Sequence, residues 1–489
     1  MGAPDLSGVS MTFDLLITNA TIVNADGSVR ASIGIEDGAI TALLSPNAVV
    51  LDAIRTIDAD GLLAIPGGVD GHCHAEQVTG AYRSRDTYGS TTAAALRGGT
   101  TTIMDFGIPS DRNERPIDAL ERKIRLVSEN GARCDVALHG SVITWDDSTA
   151  AQLEKMAELG VHSVKMYTTN RGGTMSDDDT IVRVLHEMVR LDGLAYIHSE
   201  HDGIIHDRTT ACADRGAIGI EHLHESRPQI SEDASVREIL AIAEYTGAPV
   251  YFVHQSTPAA VDAVAEARGR GLNAFSEVCP HYLLHDESVY SGEYPEKFAC
   301  CPPFRSVSDV AGLRERVSRG LIDTLSSDHT SYDLAQKREH SDDVRHMPHG
   351  LPGAGTRMPA GYTAMVVEEG LPIEDFVALF SANPARVNGL HRKGAVAVGN
   401  DADIVLFDPE ERRVVRAADL HQDSDFSPFD GMELAGWPRY VVSGGHVVVD
   451  AGEFADPGPV GRYIGQAPFS ERPGITRPAS IVAREAVSV

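Results

Sequence analysis

Three features of the chain predict an α/β fold, a closed (β/α)8 barrel carrying a small β-sandwich assembled from the two chain ends. From about Pro66 to about Leu390, apolar β-rich runs alternate with helix-patterned stretches. Strand alternating with helix at this spacing implies a parallel sheet, and roughly 325 residues of it favour a closed barrel over an open doubly wound sheet. No Gly-x-Gly-x-x-Gly follows any of the strands, which weakens a dinucleotide-binding reading. Short strands bounded by glycine turns occupy both chain ends.

In order, Asp14–Thr18, Ala20–Asn24, Ser32–Ile35 and Ala39–Leu43 read as strands broken at Asp26-Gly27 and Asp37-Gly38. Asp-Gly between alternating runs is a strong hairpin signal. This unit has too little mass to stand alone, and its expected partners are Asp403–Phe407, Tyr440–Ser443 and His446–Val449. In the barrel region the strand-like runs are Thr100–Met104, Asp135–His139, Ser163–Tyr167, Leu194–His198 and Val250–His254. Helical patterns cover Thr92–Arg97, Ile117–Glu129, Ala150–Leu159, Thr180–Leu191 and Ala234–Tyr245. The expected division is 1–65 and 391–460 for the sandwich, 66–390 for the barrel, and 461–489 for a C-terminal tail.

Composition narrows the class. At 489 residues, 42% hydrophobic and 23% charged, the chain has ordinary globular composition for one large domain plus a smaller one. A net charge of −29 argues against a nucleic-acid footprint or adhesion to an anionic membrane. No run of eighteen or more apolar residues and no basic-then-apolar leader is present, so the expected location is cytoplasmic. Six scattered cysteines without a CxxC pair read as reduced thiols.

The chemistry centres on Gly68-Val-Asp-Gly-His-Cys-His74. His72 and His74, two apart after an apolar run, would project to one side of a strand end, with Cys73 packing on the other. Paired imidazoles are half of a site for zinc or a similar metal. His198 and His254 each close an apolar run and Asp328 follows Thr324-Leu-Ser-Ser. Barrels of this kind gather their catalytic groups at the C-terminal ends of strands. Lys165 sits in an otherwise apolar strand, where an ammonium with a normal pKa of about 10.4 is costly and cannot ligate a metal. Either an acidic neighbour pairs with it, or its neutral amine reacts with carbon dioxide to give an anionic carbamate able to bridge two cations.

His72-Cys-His74, Gly98–Phe106, Val164-Lys-Met166, His198-Ser-Glu200, His224–Pro228, Val253–Ser256, Glu277–His281, Cys301–Arg305 and Ser326–His329 resemble the cyclic amidohydrolases of the dihydropyrimidinase and hydantoinase family. So do Gly350–Gly353, Thr356–Pro359, Ala385–Leu390, Gly399–Asp403 and Ser427–Met432, in family order from near residue 14 to about residue 465. The resemblance implies a binuclear metal hydrolase on a TIM barrel with a flanking β-sandwich, usually a homotetramer, with zinc as the usual metal. It implies that His72, His74, Lys165 and Asp328 hold the more buried ion. Lys165 as N6-carboxylysine, His198 and His254 would hold the second. Asp328 would also move the proton between the attacking hydroxide and the leaving nitrogen, and the substrate would be a small cyclic amide opened to an N-carbamoyl amino acid or a similar product.

Three departures bear on the substrate. The family's oxyanion tyrosine, five residues after the lysine, is replaced by Asn170, with Tyr167 the nearest tyrosine; Cys301 stands where serine is frequent, and His349 where asparagine is common. Tyr167, Asn170, Cys301 and His349 are therefore the expected substrate contacts. Glu76, Arg171 and His201 in neighbouring loops are candidates for meeting a polar ring substituent. The alternatives are an allantoinase-like hydrolase of a cyclic ureide, a deaminase, or a non-catalytic relative that keeps the scaffold. Residues 462–489 read as a subunit-contact arm or a loose end.

Overall fold

The structure is a computed structural model that describes residues 12–46 and 52–476. Eight parallel strands form its central sheet: β1 (Gly68–Asp70), β2 (Thr100–Gly107), β3 (Asp135–Ser141), β4 (Ser163–Tyr167), β5 (Leu194–His198), β6 (Val250–Phe252), β7 (Ala274–Val278) and β8 (Thr324–Leu325). Each pairs with the next in chain order, so the spatial order of β1 through β8 is the sequence order. Just past the ends of β1 and β8, Cys73–His74 pairs in parallel with His329–Thr330, and the Asp328 amide donates to the His72 carbonyl at 2.9 Å. The barrel closes along this seam, and the closure brings together chain segments separated by more than 250 residues in sequence.

The helices pack outside the strands through a main core that includes Ile103, Val136, Val164, Met166, Ile197, Val250 and Phe252. The helix Asp178–Arg190 shows how the local sequence directs this. Asp177 caps its N-terminus by accepting the Thr180 amide, and Ile181, Val184, Leu185 and Met188 form the buried stripe. The first helix begins at Tyr88, a turn earlier than the apolar pattern alone suggests, because Thr87 and Ser90 form a reciprocal capping box. Similarly, the helix expected over Ala234–Tyr245 spans Gln229–Thr246, entered from Pro228 and ended by Gly247 at φ 78°.

The two chain ends meet in one nine-stranded sheet. Leu63–Pro66 is the joint, pairing in parallel with Phe13–Asn24 on one side and antiparallel with Ile404–Val414 on the other. Ile17, Ile33, Ile35, Ile57, Ala64, Ile404, Leu406 and Val442 make a second core under it. The buried Lys393 ammonium ties this unit to the barrel, lying 2.8 Å from Asp135 at the start of β3, 3.0 Å from Asp401 and 2.6 Å from Asp403.

The described part of the C-terminal tail is no loose end. Arg462 and Ile464 exchange backbone hydrogen bonds with Val136, and Gln466 donates to the Leu138 carbonyl. Arg472 donates to the carbonyls of Val387 and His162. Residues 477–489, the rest of the expected arm, lie outside the described residues. No helix among the described residues is long and apolar enough to cross a membrane.

Candidate metal centre

The barrel seam produces the site. His72 follows β1 after a bend at Gly71, and His74 ends the short strand Cys73–His74. His72 Nε2 and His74 Nε2 stand 3.2 and 3.4 Å from Asp328 Oδ1, and the three residues form a compact group of donor atoms able to hold a metal ion. Asp328 adopts φ 48° and His254 φ 37°, conformations costly for residues with a Cβ and typical of sites where the surroundings enforce a side-chain direction. Cys73, between the two histidines, is fully buried in the main core.

Lys165 enters from β4, whose residues alternate between two surroundings. Val164 and Met166 face the helices, while Lys165 turns into the barrel, 1% exposed, with Nζ 3.4 Å from His72 Nε2 and over the Phe106 ring. No ion pair joins it to a carboxylate among the described residues, and burial pushes its ammonium down to about 8. Asp328 and Glu277 oppose that shift through space without a direct ion pair to Lys165.

His198 ends β5 and His254 follows β6; their ring centroids lie 4.5 Å apart, and His254 lies 5.4 Å from His72. One nitrogen of each of two imidazoles is already committed: His72 Nδ1 to Glu277 at 2.7 Å, and His198 Nε2 to Glu200 at 2.8 Å. Their other nitrogens are left for the centre. His74 Nδ1 and His254 Nδ1 are buried without a hydrogen-bond partner among the described residues. Burial depresses the pKa of His72, His198 and His254, which keeps them in the neutral form that ligates metals. At Asp328 burial opposes ionisation but is outweighed by His72, His74 and Lys165, which hold the carboxyl below its usual range. Neutral imidazoles around an ionised carboxylate, with a buried amine short of partners, form a donor set that fits divalent cations.

Beneath the site, the Phe106 ring lies about 5 Å from both His72 and His74, and Tyr196 stacks on Tyr251 at 4.2 Å. Above it opens a cavity of about 1140 Å³. Tyr167, Asn170, Cys301 and His349 all line it. The Tyr167 ring stands 5.6 Å from that of His198 and 5.3 Å from Lys165 Nζ. Asn170, at φ 73°, spends its amide on Thr174 Oγ1 within its own turn. The two departures Cys301 and His349 touch each other, Sγ to Nδ1 at 2.9 Å.

Of the neighbouring loop residues, Arg171 lines the cavity but is paired with Asp202 at 2.5 Å. Glu76 and His201 do not line it. Glu76 is buried, accepting from the Tyr88 amide and Asn130, and His201 caps the helix Asp202–Asp214. Both are structural, a correction to their expected role. Sequence reasoning assigned no role to Glu277, Glu200 or Arg227, although the motifs containing them were visible. Glu277 is a carboxylate in the otherwise uncharged strand Ala274–Val278, and it accepts from Tyr251, the His254 amide and His72 together. Glu200 is clasped by Arg227 through two hydrogen bonds.

Comparison with known proteins agrees with this arrangement. Residues 63–448 match the model of the amidohydrolase family. The D-hydantoinase of Ralstonia pickettii is 34% identical over 464 residues, covering 94% of this chain and 100% of that protein. The D-hydantoinase of Rhizobium radiobacter is 35% identical over 447 residues, 90% and 96% of the two chains. Among solved structures, the dihydropyrimidinase of Brevibacillus agri superposes with a TM-score of 0.90 at 30% identity, covering 94% of this chain and 99% of that one. Family model, relatives and fold agree: the chain belongs to the amidohydrolase family, in its hydantoinase and dihydropyrimidinase group.

Proposed function

We propose that the protein is a binuclear, metal-dependent hydrolase that opens the ring of a hydantoin, dihydropyrimidine or related cyclic ureide or imide. The observation that carries the reading is the convergence of His72 Nε2 and His74 Nε2 on Asp328 Oδ1, with Lys165 Nζ 3.4 Å from His72 and a large cavity above. Its similarity to D-hydantoinases along nearly the whole of their length supports the ring class.

In this reading His72, His74, Lys165 and Asp328 would hold one cation, and His198 and His254 would hold the second together with Lys165 as a carbamate. Zinc suits imidazole and carboxylate donors. The carbamate forms when the neutral amine of Lys165 adds to carbon dioxide and releases a proton, and its negative charge then replaces an ammonium that burial disfavours. Two bound divalent cations supply a water acidified far below its bulk pKa of about 15.7 and polarise the carbonyl under attack.

The chain's own residues do the rest. Asp328, held ionised by its neighbours, takes the proton of the attacking water at its carboxylate and returns it to the ring nitrogen as the C–N bond breaks. Tyr167 is the hydroxyl donor assigned to the developing oxyanion, because it stands beside His198 while Asn170 is committed to Thr174. Phe106 and the stacked tyrosines keep water from below, and Cys301 with His349 forms a wall against the ring. The assembly is taken as a homotetramer on the family resemblance.

Purified protein assayed against dihydrouracil, hydantoin, 5-substituted hydantoins, allantoin and cyclic imides, with metal measured on the same sample, tests the reading. Ring opening without ammonia, with about two metals per chain, supports it. A metal-free protein inert on the whole panel refutes it, and ammonia release would favour a deaminase.

A further inference from the structure

Lys337 is a buried lysine that the mechanism does not use. It sits in the short helix Leu334–Arg338, is 0% exposed, and makes no ion pair among the described residues. Its ammonium instead donates to three backbone carbonyls: Ala299 at 2.7 Å, Pro348 at 3.0 Å and Gly350 at 2.6 Å. An ammonium has three protons, so its donor capacity is filled.

The three acceptors belong to two segments far apart in sequence, and both reach the cavity. Cys301 follows Ala299 by two residues, and His349 lies between Pro348 and Gly350; Cys301, Pro348, His349 and Gly350 all line the cavity. The segments also meet through the Gly350 amide, which donates to the Ala299 carbonyl, and through the contact between Cys301 and His349. A charge withdrawn from water without a carboxylate is retained at a cost in stability, and an apolar side chain would fill the same space without it. What only the ammonium can do is fix three peptide planes at once.

We propose that Lys337 is a positioning residue for hydrolysis: its ammonium holds the Ala299–Cys301 and Pro348–Gly350 segments in register, and so sets the wall on which the cyclic amide rests. The inference builds on the function proposed above. It assigns Lys337 no contact with the ring.

The test compares the wild-type holoenzyme with Lys337→Met and with Lys337→Gln, which keeps two donors. The expected result is a KM for the ring substrate raised by about tenfold or more in Lys337→Met, and by less in Lys337→Gln, with metal content unchanged and kcat much less affected. Cys301, the one cysteine of the six that is not buried, is expected to react faster with 5,5′-dithiobis(2-nitrobenzoic acid) in both variants, as read by peptide mass spectrometry. An unchanged KM, or a loss of activity that follows a loss of metal, overturns the proposal. So does failure of both variants to fold, which would assign Lys337 to stability alone. If the wild-type protein opens no ring in the panel, the functional reading fails separately. The labelling rate then decides the strut: faster reaction of Cys301 in the variants upholds it, and an equal rate overturns it.

Discussion

Oε1 of Glu277 lies 2.7 Å from His72 Nδ1 and also accepts the backbone amide of His254 at 3.0 Å. One carboxylate oxygen thus braces residues assigned to both cations. Burial raises the Glu277 carboxyl above its ordinary range against the pull of Tyr251, the His254 amide and Lys165, so its hydrogen bonds are what keep it an acceptor. Glu277→Gln places a donor among three donors. Metal affinity is expected to fall by about 10- to 100-fold, read by competition with a chromophoric chelator. Wild-type affinity in the variant would show that His72 needs no brace.

Lys165→Ala is expected to lose both cations together, because the proposed carbamate would serve both. Metal analysis after gel filtration checks this against circular dichroism of the same sample. Retention of two ions per chain with native ellipticity would remove the bridge from the mechanism.

Tyr167→Phe deletes the hydroxyl assigned to the oxyanion and keeps the ring against His198. The expected loss is about 10²-fold in kcat with little change in metal content. Asn170→Ala, whose amide serves Thr174, is expected to leave kcat nearly unchanged. The opposite ranking of the two variants would transfer the role to Asn170.

The Lys393 cluster predicts a stability effect remote from the site. Lys393→Met strands the Asp403 carboxylate and removes the buried cation that Asp135 and Asp401 share with it, leaving those two to Arg462 and Arg392. Leaving buried charge uncompensated costs about 3–5 kcal/mol, which denaturant unfolding would detect. A variant as stable as wild type would mean that water reaches these carboxylates.

His285 predicts an acid limb in the stability profile. Its ring packs among Phe298, Phe304 and Phe429, and burial lowers its pKa to about 4 from the ordinary 6.5. The folded state therefore binds fewer protons than the unfolded chain between these values. The contribution is complete above pH 6.5 and is lost as the pH falls towards 4, by roughly 2–3 kcal/mol. His285→Phe keeps the aromatic packing, so its thermal midpoint should fall less than that of wild type between pH 6.5 and 4. Parallel profiles for the two proteins would count against this origin.

Much of the molecule was legible from residue order alone. Alternating strand and helix periods, set by the geometry of the two backbone conformations, announced the barrel, and histidines or an aspartate closing apolar runs marked its chemically active end. Lys165 was conspicuous because a charge in an apolar strand needs a reason. Order along the chain did not reveal that the barrel closes through Cys73–His74 and His329–Thr330, or that this closure carries Asp328 to His72 and His74. Nor did it separate Glu76 and His201, which serve a helix start and a cap, from residues that face the cavity. The partners of Glu277 and Lys337 lie on other strands and loops, and only packing brings them within hydrogen-bonding reach. Periodicity is a local property of the backbone and survives in the sequence; the direction of a buried polar side chain is a property of its neighbours, and these are chosen only when the chain has folded.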